Sequence, residues 1–287
     1  MKPLCRGLAP LLMLLVLLPA ARAESPIRFG WTEWSDGVFV TELAARLIED
    51  RLDQPVERVR TDIIGQYQGL AAGRIDASLM SWQPRTHAPY LERVGNRIED
   101  LGVLYDGARL GWAVPAYVPA EQVRSLADLR NPAVRERLDG RITGIEVTSG
   151  LMRLSSSALV RYEIEDYELQ TGTGPSMTAT LDQAVREDEW IVVTAWSPHW
   201  MFAAHDLRYL EDPLGALGGD EQVHAVARRG FHADHPRVAA LLGRMWIPLA
   251  DLETALLDAR RHSVDEAVER YLEAHPRRVD YWVTGRL

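Results

Sequence analysis

The order in which strand-like and helix-like segments succeed one another constrains this chain more than any other feature. Ile27-Arg28-Phe29-Gly30 reads as a strand. After a loop at Trp31 to Gly37, the residues Val40, Leu43, Ala44, Leu47 and Ile48 recur at i, i+3 and i+4 spacing. That is the mark of a helix with one apolar face, and Asp36 is placed to cap its start. Val56 to Val59 is a second short strand, Gln66 to Ala72 a helix stopped at Gly73, and Ala77 to Met80 a third strand. This alternation predicts a mostly parallel α/β sheet, because parallel neighbours need a crossover long enough to hold a helix. In such sheets ligands bind beyond the carboxyl ends of strands, so the residues just past each strand matter most.

Tryptophan recurs at those positions. Trp34 in GWTEWSDG, Trp82 in LMSWQPRTH and Trp196 in VVTAWSPHW each stand where a loop is expected to leave a strand. An exposed indole gains little from water, whereas several indole faces turned toward one point attract a soft cation through their ring quadrupoles. The competing reading is core filling, which suits any one of the nine tryptophans taken alone. The shared setting, a turn with Pro, Ser or Asp beside the ring, favours a cation cage.

The second half repeats the α/β pattern. Gly111 to Pro119 is apolar, extended and limited by prolines, as a crossover between two lobes would be. Strands are expected at Ile142 to Val147 and Ile191 to Ala195, and after a glycine-rich loop Val223 to Ala227 returns as a strand before a helical tail from Pro236. Two crossings predict a hinge and a cleft, with lobe 1 formed by 24–113 and 223–287 and lobe 2 by 114–222. In GIEVTSGLMRLSSSALVRYEI a strand ends at Thr148-Ser149-Gly150 and a helix starts near Leu151. The free amides of Gly150 and Leu151 at a helix N-terminus would favour an anion, although many such turns bind nothing.

Several functions are excluded by residues the chain lacks. The first 23 residues read as a cleavable export signal: Lys2 and Arg6, an apolar run from Leu8 to Leu18, then Ala21-Arg22-Ala23. The run is too short for a permanent membrane anchor. Cys5, the sole cysteine, precedes it and is not at the cleavage site, so the expected product is a soluble, periplasmic, disulfide-free protein that is not a lipoprotein. Lys2 is the sole lysine. A Walker loop, a Schiff-base lysine, a Ser-Lys pair and a cysteine nucleophile are therefore impossible after cleavage. The formal charge of −9 becomes still more negative once Lys2, Arg6 and Arg22 are removed, which disfavours nucleic acid. Neither Gly-x-Ser-x-Gly nor His-Glu-x-x-His occurs, leaving an enzyme only isolated carboxylates for acid-base work. His232-Ala-Asp-His235 reads better as the start of a helix at Pro236 than as a metal site, and Gly172-Thr-Gly174-Pro reads as a turn. No metal and no cofactor is expected.

Taken together, GWTEWSDGVFVTELAARLIED, LMSWQPRTHAPYLERV, LGWAVPAYV, GIEVTSGLM, SMTATLDQA and VVTAWSPHWMFAAHDLRYLEDP, with RRGF after them, resemble the glycine betaine-binding proteins of osmoprotectant ABC importers. The resemblance runs in order through nearly the whole chain after the signal. It implies a two-lobed, type II periplasmic binding protein, a monomer serving a membrane permease, that closes on a betaine. It also implies Trp34, Trp82 and Trp196 as a prism around the quaternary ammonium, with Gly150, Leu151 and His87 on the carboxylate. The chain has Ile-Glu-Val-Thr-Ser-Gly-Leu where relatives tend toward Ile-Asp-Pro-Gly-Ser-Gly-Ile, and Arg85 adds a cation within the Trp82 to His87 string. Choline, or another amine without a carboxylate, is the alternative ligand, and His87 with the amide loop argues against it.

Overall fold

The structure, a computed structural model, describes residues 25–286, so the expected signal segment lies outside the described residues. The chain begins β1 (Ile27–Trp31), α1 (Ser35–Leu52), β2 (Val56–Arg60), α2 (Ile63–Ala71), β3 (Ala77–Gln83) and α3 (Ala88–Val94). β1 pairs in parallel with both β2 and β3, as the alternation requires. Next come β4 (Ile98–Pro115), α4 (Pro132–Arg137), β5 (Arg141–Thr143), α5 (Gly150–Arg161), β6 (Glu168–Gln170), α6 (Gly174–Arg186), β7 (Val193–Ser197), α7 (Met201–Ala204) and β8 (Leu207–Tyr209). The chain then returns through β9 (Glu221–Arg228) and ends in α8 (Phe231–Asp234), α9 (Pro236–Arg244), α10 (Leu249–Arg261), α11 (Val264–Ala274) and α12 (Pro276–Thr284).

β4 joins the two halves. From Ile98 to Ala108 it pairs antiparallel with β9, and from Arg109 to Ala113 with β7, so one strand passes from one sheet to the other. Its register against β9 slips repeatedly along the way, which bends the strand. Gly107, at φ +73° just before the switch, takes a conformation that a residue with a Cβ adopts at a cost. The strand order β2-β1-β3-β9-β4-β7-β5-β6 is therefore mixed. β5 to β6 and β5 to β7 are parallel, but the strands that carry the chain between halves are antiparallel. The expectation of a mostly parallel sheet is corrected at those central strands.

Each half has a core. On α1, Val40, Leu43, Ala44, Leu47 and Ile48 are all buried, the face foreseen from their spacing. The second half packs around Trp112, Val114, Val118, Leu126, Ile142 and Val192, and the Trp112 indole donates to Ser155 Oγ at 2.9 Å. Two boundaries move in ways that shape the site. α1 starts at Ser35, not after Asp36, and Asp36 lies inside the helix with its carboxylate buried in place of a capping role. β5 stops at Thr143, so residues 144–149, expected to be mostly strand, leave the sheet and reach toward the other half. Among the described residues no helix is long and apolar enough to cross a membrane.

Candidate functional site

All six residues singled out from sequence line one cavity. Trp34, Trp82, Trp196, His87, Gly150 and Leu151, joined by Thr86, Leu110, Ile145 and Ser149, surround a tight cavity between the two halves. The local settings differ somewhat from expectation. Trp34 occupies the N-cap position of α1, whereas Trp82 and Trp196 are the penultimate residues of β3 and β7, still inside their strands. The three indoles are 6%, 3% and 4% exposed, so a cation reaching them would shed its water. Both Trp-x-Pro segments contain a cis peptide bond, at Gln83–Pro84 and Ser197–Pro198.

Two carboxylates that sequence reasoning missed fix the cage. Trp34, from the first half, donates its indole N–H to Glu146 Oε2 of the second half at 3.0 Å. Trp196, from the second half, donates to Asp36 Oδ1 of the first half at 3.1 Å. The bonds cross the cleft in opposite directions. An indole tethered by its N–H edge is left with its faces for other contacts. Asp36 is fully buried, and its Oδ2 accepts the Tyr105 hydroxyl at 2.7 Å. Burial raises its pKa to about 6, against the opposing pull of the Tyr105 and Trp196 hydrogen bonds. Local reasoning gave Asp36 a capping role and passed over Glu146, because each acts on a residue more than a hundred positions away.

The same cavity wall also carries a cluster of N–H donors. Ser149 caps α5, its Oγ accepting the Met152 amide at 3.2 Å, which leaves the N–H groups of Gly150 and Leu151 unused by the helix. His87 is 1% exposed, and burial lowers its pKa to about 3, with the charge of Arg153 acting in the same direction. Its Nδ1 accepts the Trp82 amide at 3.1 Å and lies 3.3 Å from Tyr67 Oη, so the neutral ring carries its proton on Nε2. Gly150 is required by closeness: a Cβ there would press on Thr86 Cγ2 and stand 2.7 Å from Thr86 O, across the cleft. Tyr90 also spans the gap, donating to Thr148 O at 2.8 Å. Val147, which the resemblance set against a proline, is 70% exposed. Arg85 is exposed and outside the cavity wall, so the cation expected there does not face the site.

A larger groove shares Trp196 with the cage and is lined by Trp31, Trp200, Pro175 and Leu256 among others. It is the weaker candidate, because its charged groups are already engaged. Glu33 pairs with Arg60, Asp182 meets His205 at 2.6 Å and Arg260 at 3.2 Å, and Arg260 stacks on Trp200 at 4.8 Å. His199 is buried, accepts the Met201 amide at Nδ1 and packs edge-on against Trp196 at 4.4 Å. The Gly172 to Pro175 segment also proves more than a turn. Thr173 caps α6, and Gly174 sits against Glu33 O near both Trp34 and Trp196.

Comparison with known proteins identifies the family and the fold. Residues 25–274 match the substrate-binding domain of ABC-type glycine betaine transport systems, and the chain belongs to that family. It is 33% identical over 154 residues to the glycine betaine/carnitine transport binding protein of Listeria monocytogenes, a match spanning 52% of this chain and 51% of that one. It is 24% identical to the glycine betaine/proline betaine-binding periplasmic protein of Salmonella typhimurium, over 88% of this chain and 87% of that protein. The structure superposes on lactococcal OpuAC, in its closed-liganded conformation with glycine betaine, with a TM-score of 0.84 and 29% identity, covering 91% of this chain and all of that one. The fold is thus the two-lobed binding-protein fold, here with its lobes in contact across the cavity.

The buried groups set a pH dependence of stability. His87 and His199 each have a pKa of about 3 against a usual 6.5, so in acid the unfolded chain takes up protons that the folded chain refuses. Each costs stability as pH falls below 6.5, at about 1.4 kcal/mol per pH unit. Asp36, raised from 3.8 to about 6, acts oppositely, since between those values the folded state holds the extra proton. His199→Asn keeps an acceptor for the Met201 amide and removes one titrating group. Urea unfolding between pH 6 and 4 is expected to show a slope shallower by about 1.4 kcal/mol per unit than wild type. Equal slopes would mean that His199 is not held neutral.

Proposed function

We propose that this chain is the extracytoplasmic binding protein of an ABC importer, capturing glycine betaine or a closely related carboxylated ammonium or sulfonium osmolyte and handing it to the membrane permease. The observation that carries this reading is that three indoles and the Gly150, Leu151 and His87 donors line one cavity. A quaternary ammonium has no N–H to donate, so a carboxylate offers it little beyond what water does, whereas desolvated aromatic faces contribute up to ~2 kcal/mol each. At the ligand's other end, each charge-assisted hydrogen bond to a carboxylate adds roughly 1.5–3 kcal/mol. After ordering and closure costs, a dissociation constant near micromolar, about −8 kcal/mol, is reasonable. Nothing in this scheme makes or breaks a covalent bond.

In this reading the chain is exported through residues 1–23, released as a soluble periplasmic monomer, and divided into lobes at the β4 crossing and ahead of β9. Cage and donor groups come from both lobes, so ligand binding favours the closed arrangement. Support comes from family membership and from the likeness to the closed, glycine betaine-bound lactococcal protein.

Calorimetric titration against glycine betaine, proline betaine, dimethylsulfoniopropionate and choline tests the proposal. The expected result is 1:1 binding of the carboxylated ligands, recovered unchanged, with choline weaker. Alanine at Trp34, Trp82 or Trp196 should cost about 1–2 kcal/mol or more of binding. No heat with any carboxylated ligand, or a ligand consumed during the titration, would reject the reading.

Closure has its own test in Gly150→Ala, whose added methyl meets Thr86 only when the lobes are together. With saturating glycine betaine, wild type is expected to give a smaller radius of gyration by small-angle scattering than the variant. The urea midpoint should differ by no more than about 0.5 kcal/mol, as for a surface substitution. Equal compaction of both proteins would show that the close approach of Gly150 to Thr86 does not govern closure.

A further inference from the structure

We propose that Arg153 is the counter-charge for the ligand's carboxylate, and so the residue that makes the closed cleft prefer a carboxylated ammonium to choline; this rests on the functional reading above. Arg153 is the fourth residue of α5, one turn along from the Gly150 and Leu151 amides. Its Nη2 crosses the cleft to donate to Thr86 O at 3.1 Å, it hydrogen-bonds toward Tyr90, and its charge is felt at His87. Its Nε is buried and has no hydrogen-bond partner.

Among the described residues no carboxylate lies within ion-pair distance of this guanidinium. Arg58 is matched by Glu42 and Glu49, and Arg28 and Arg228 by Asp76, whereas Arg208 and Arg244 donate only to backbone carbonyls, away from the cavity; Arg153 differs from these two in standing beside the Thr86 to His87 turn of the cavity wall. Glu221, the acid on this side of the cleft, is spent on the Thr86 amide and hydroxyl, with Thr86 standing between it and Arg153. A cation drawn into a closing cleft without a counter-ion opposes the closure. A carboxylate docked on the Gly150 and Leu151 amides removes that opposition, and the hydroxyl of choline does not.

The charged groups nearest the cavity are three acids, Asp36, Glu146 and Glu221, and one guanidinium, that of Arg153. Asp36 and Glu146 hold the indole edges and Glu221 holds Thr86, while Arg153, bonded to the other side of Thr86, is the one cation and His87 is neutral. Arg153 does not line the cavity, so its effect is a field and a positioning of the Thr86 to His87 turn. This distinguishes it from Arg85, which the sequence placed nearer and the fold turns outward.

The test compares wild type, Arg153→Gln, Arg153→Met and Arg153→Lys by calorimetric titration with glycine betaine and with choline. Gln keeps a donor for Thr86 O while removing the charge, Met removes both, and Lys restores the charge. Arg153→Gln and Arg153→Met are expected to weaken glycine betaine by roughly tenfold to a hundredfold, to leave choline within about threefold, and so to collapse the preference. Arg153→Lys should recover part of it. Equal losses for both ligands, or a preference unchanged in Arg153→Gln, would overturn the assignment while wild-type binding upheld the function. Absence of glycine betaine binding by wild type would overturn both.

Discussion

Each lobe of this protein holds a tryptophan of the other. The Trp34–Glu146 and Trp196–Asp36 hydrogen bonds run across the cleft in opposite directions, so each indole edge is held by the opposite lobe. The rest of the site depends on that constraint. The same approach sets Gly150 against Thr86 and Tyr90 against Thr148, and it brings the α5 amides into the same cavity as the cage. A cavity assembled in this way couples recognition to shape, because a ligand touching both lobes shifts the lobe equilibrium by its differential affinity for the closed form.

Recognition and fold are linked through β4. One continuous strand carries the chain from the β9 side to the β7 side, and its bend near Gly107 sets how the two sheets face each other. Trp82 and Trp196 are the penultimate residues of β3 and β7, on opposite sides of that strand path, so the cage is built from rigid strand ends and one helix start. A site held on such elements loses little further freedom on binding, which lowers the entropic cost of association.

Much of this was legible in the sequence, and the limits have physical causes. The apolar face of α1, the returning strand at Val223 and the helical tail came from periodicity, which reports local geometry. The six cavity residues stood out because their types carry unusual chemistry and their strings resembled one family. Asp36 shows where local reasoning fails. A carboxylate ahead of an apolar stripe looks like a cap, yet this one is buried by Tyr105 and Trp196, contacts that exist only in the folded chain. Glu146, Thr86 and Arg153 are ordinary residues whose roles arise from their neighbours across the cleft. The mixed sheet was hidden for the same reason, since the pairing of β4 with β9 joins segments distant in sequence.

The most direct measurement is a crystal structure of the protein with glycine betaine bound. The trimethylammonium group is expected among the Trp34, Trp82 and Trp196 rings, and the carboxylate on the Gly150 and Leu151 amides and His87 Nε2. A ligand lying in the opposite orientation, or seated in the outer groove beside Trp31 and Trp200, would contradict the assignment of cage and donors.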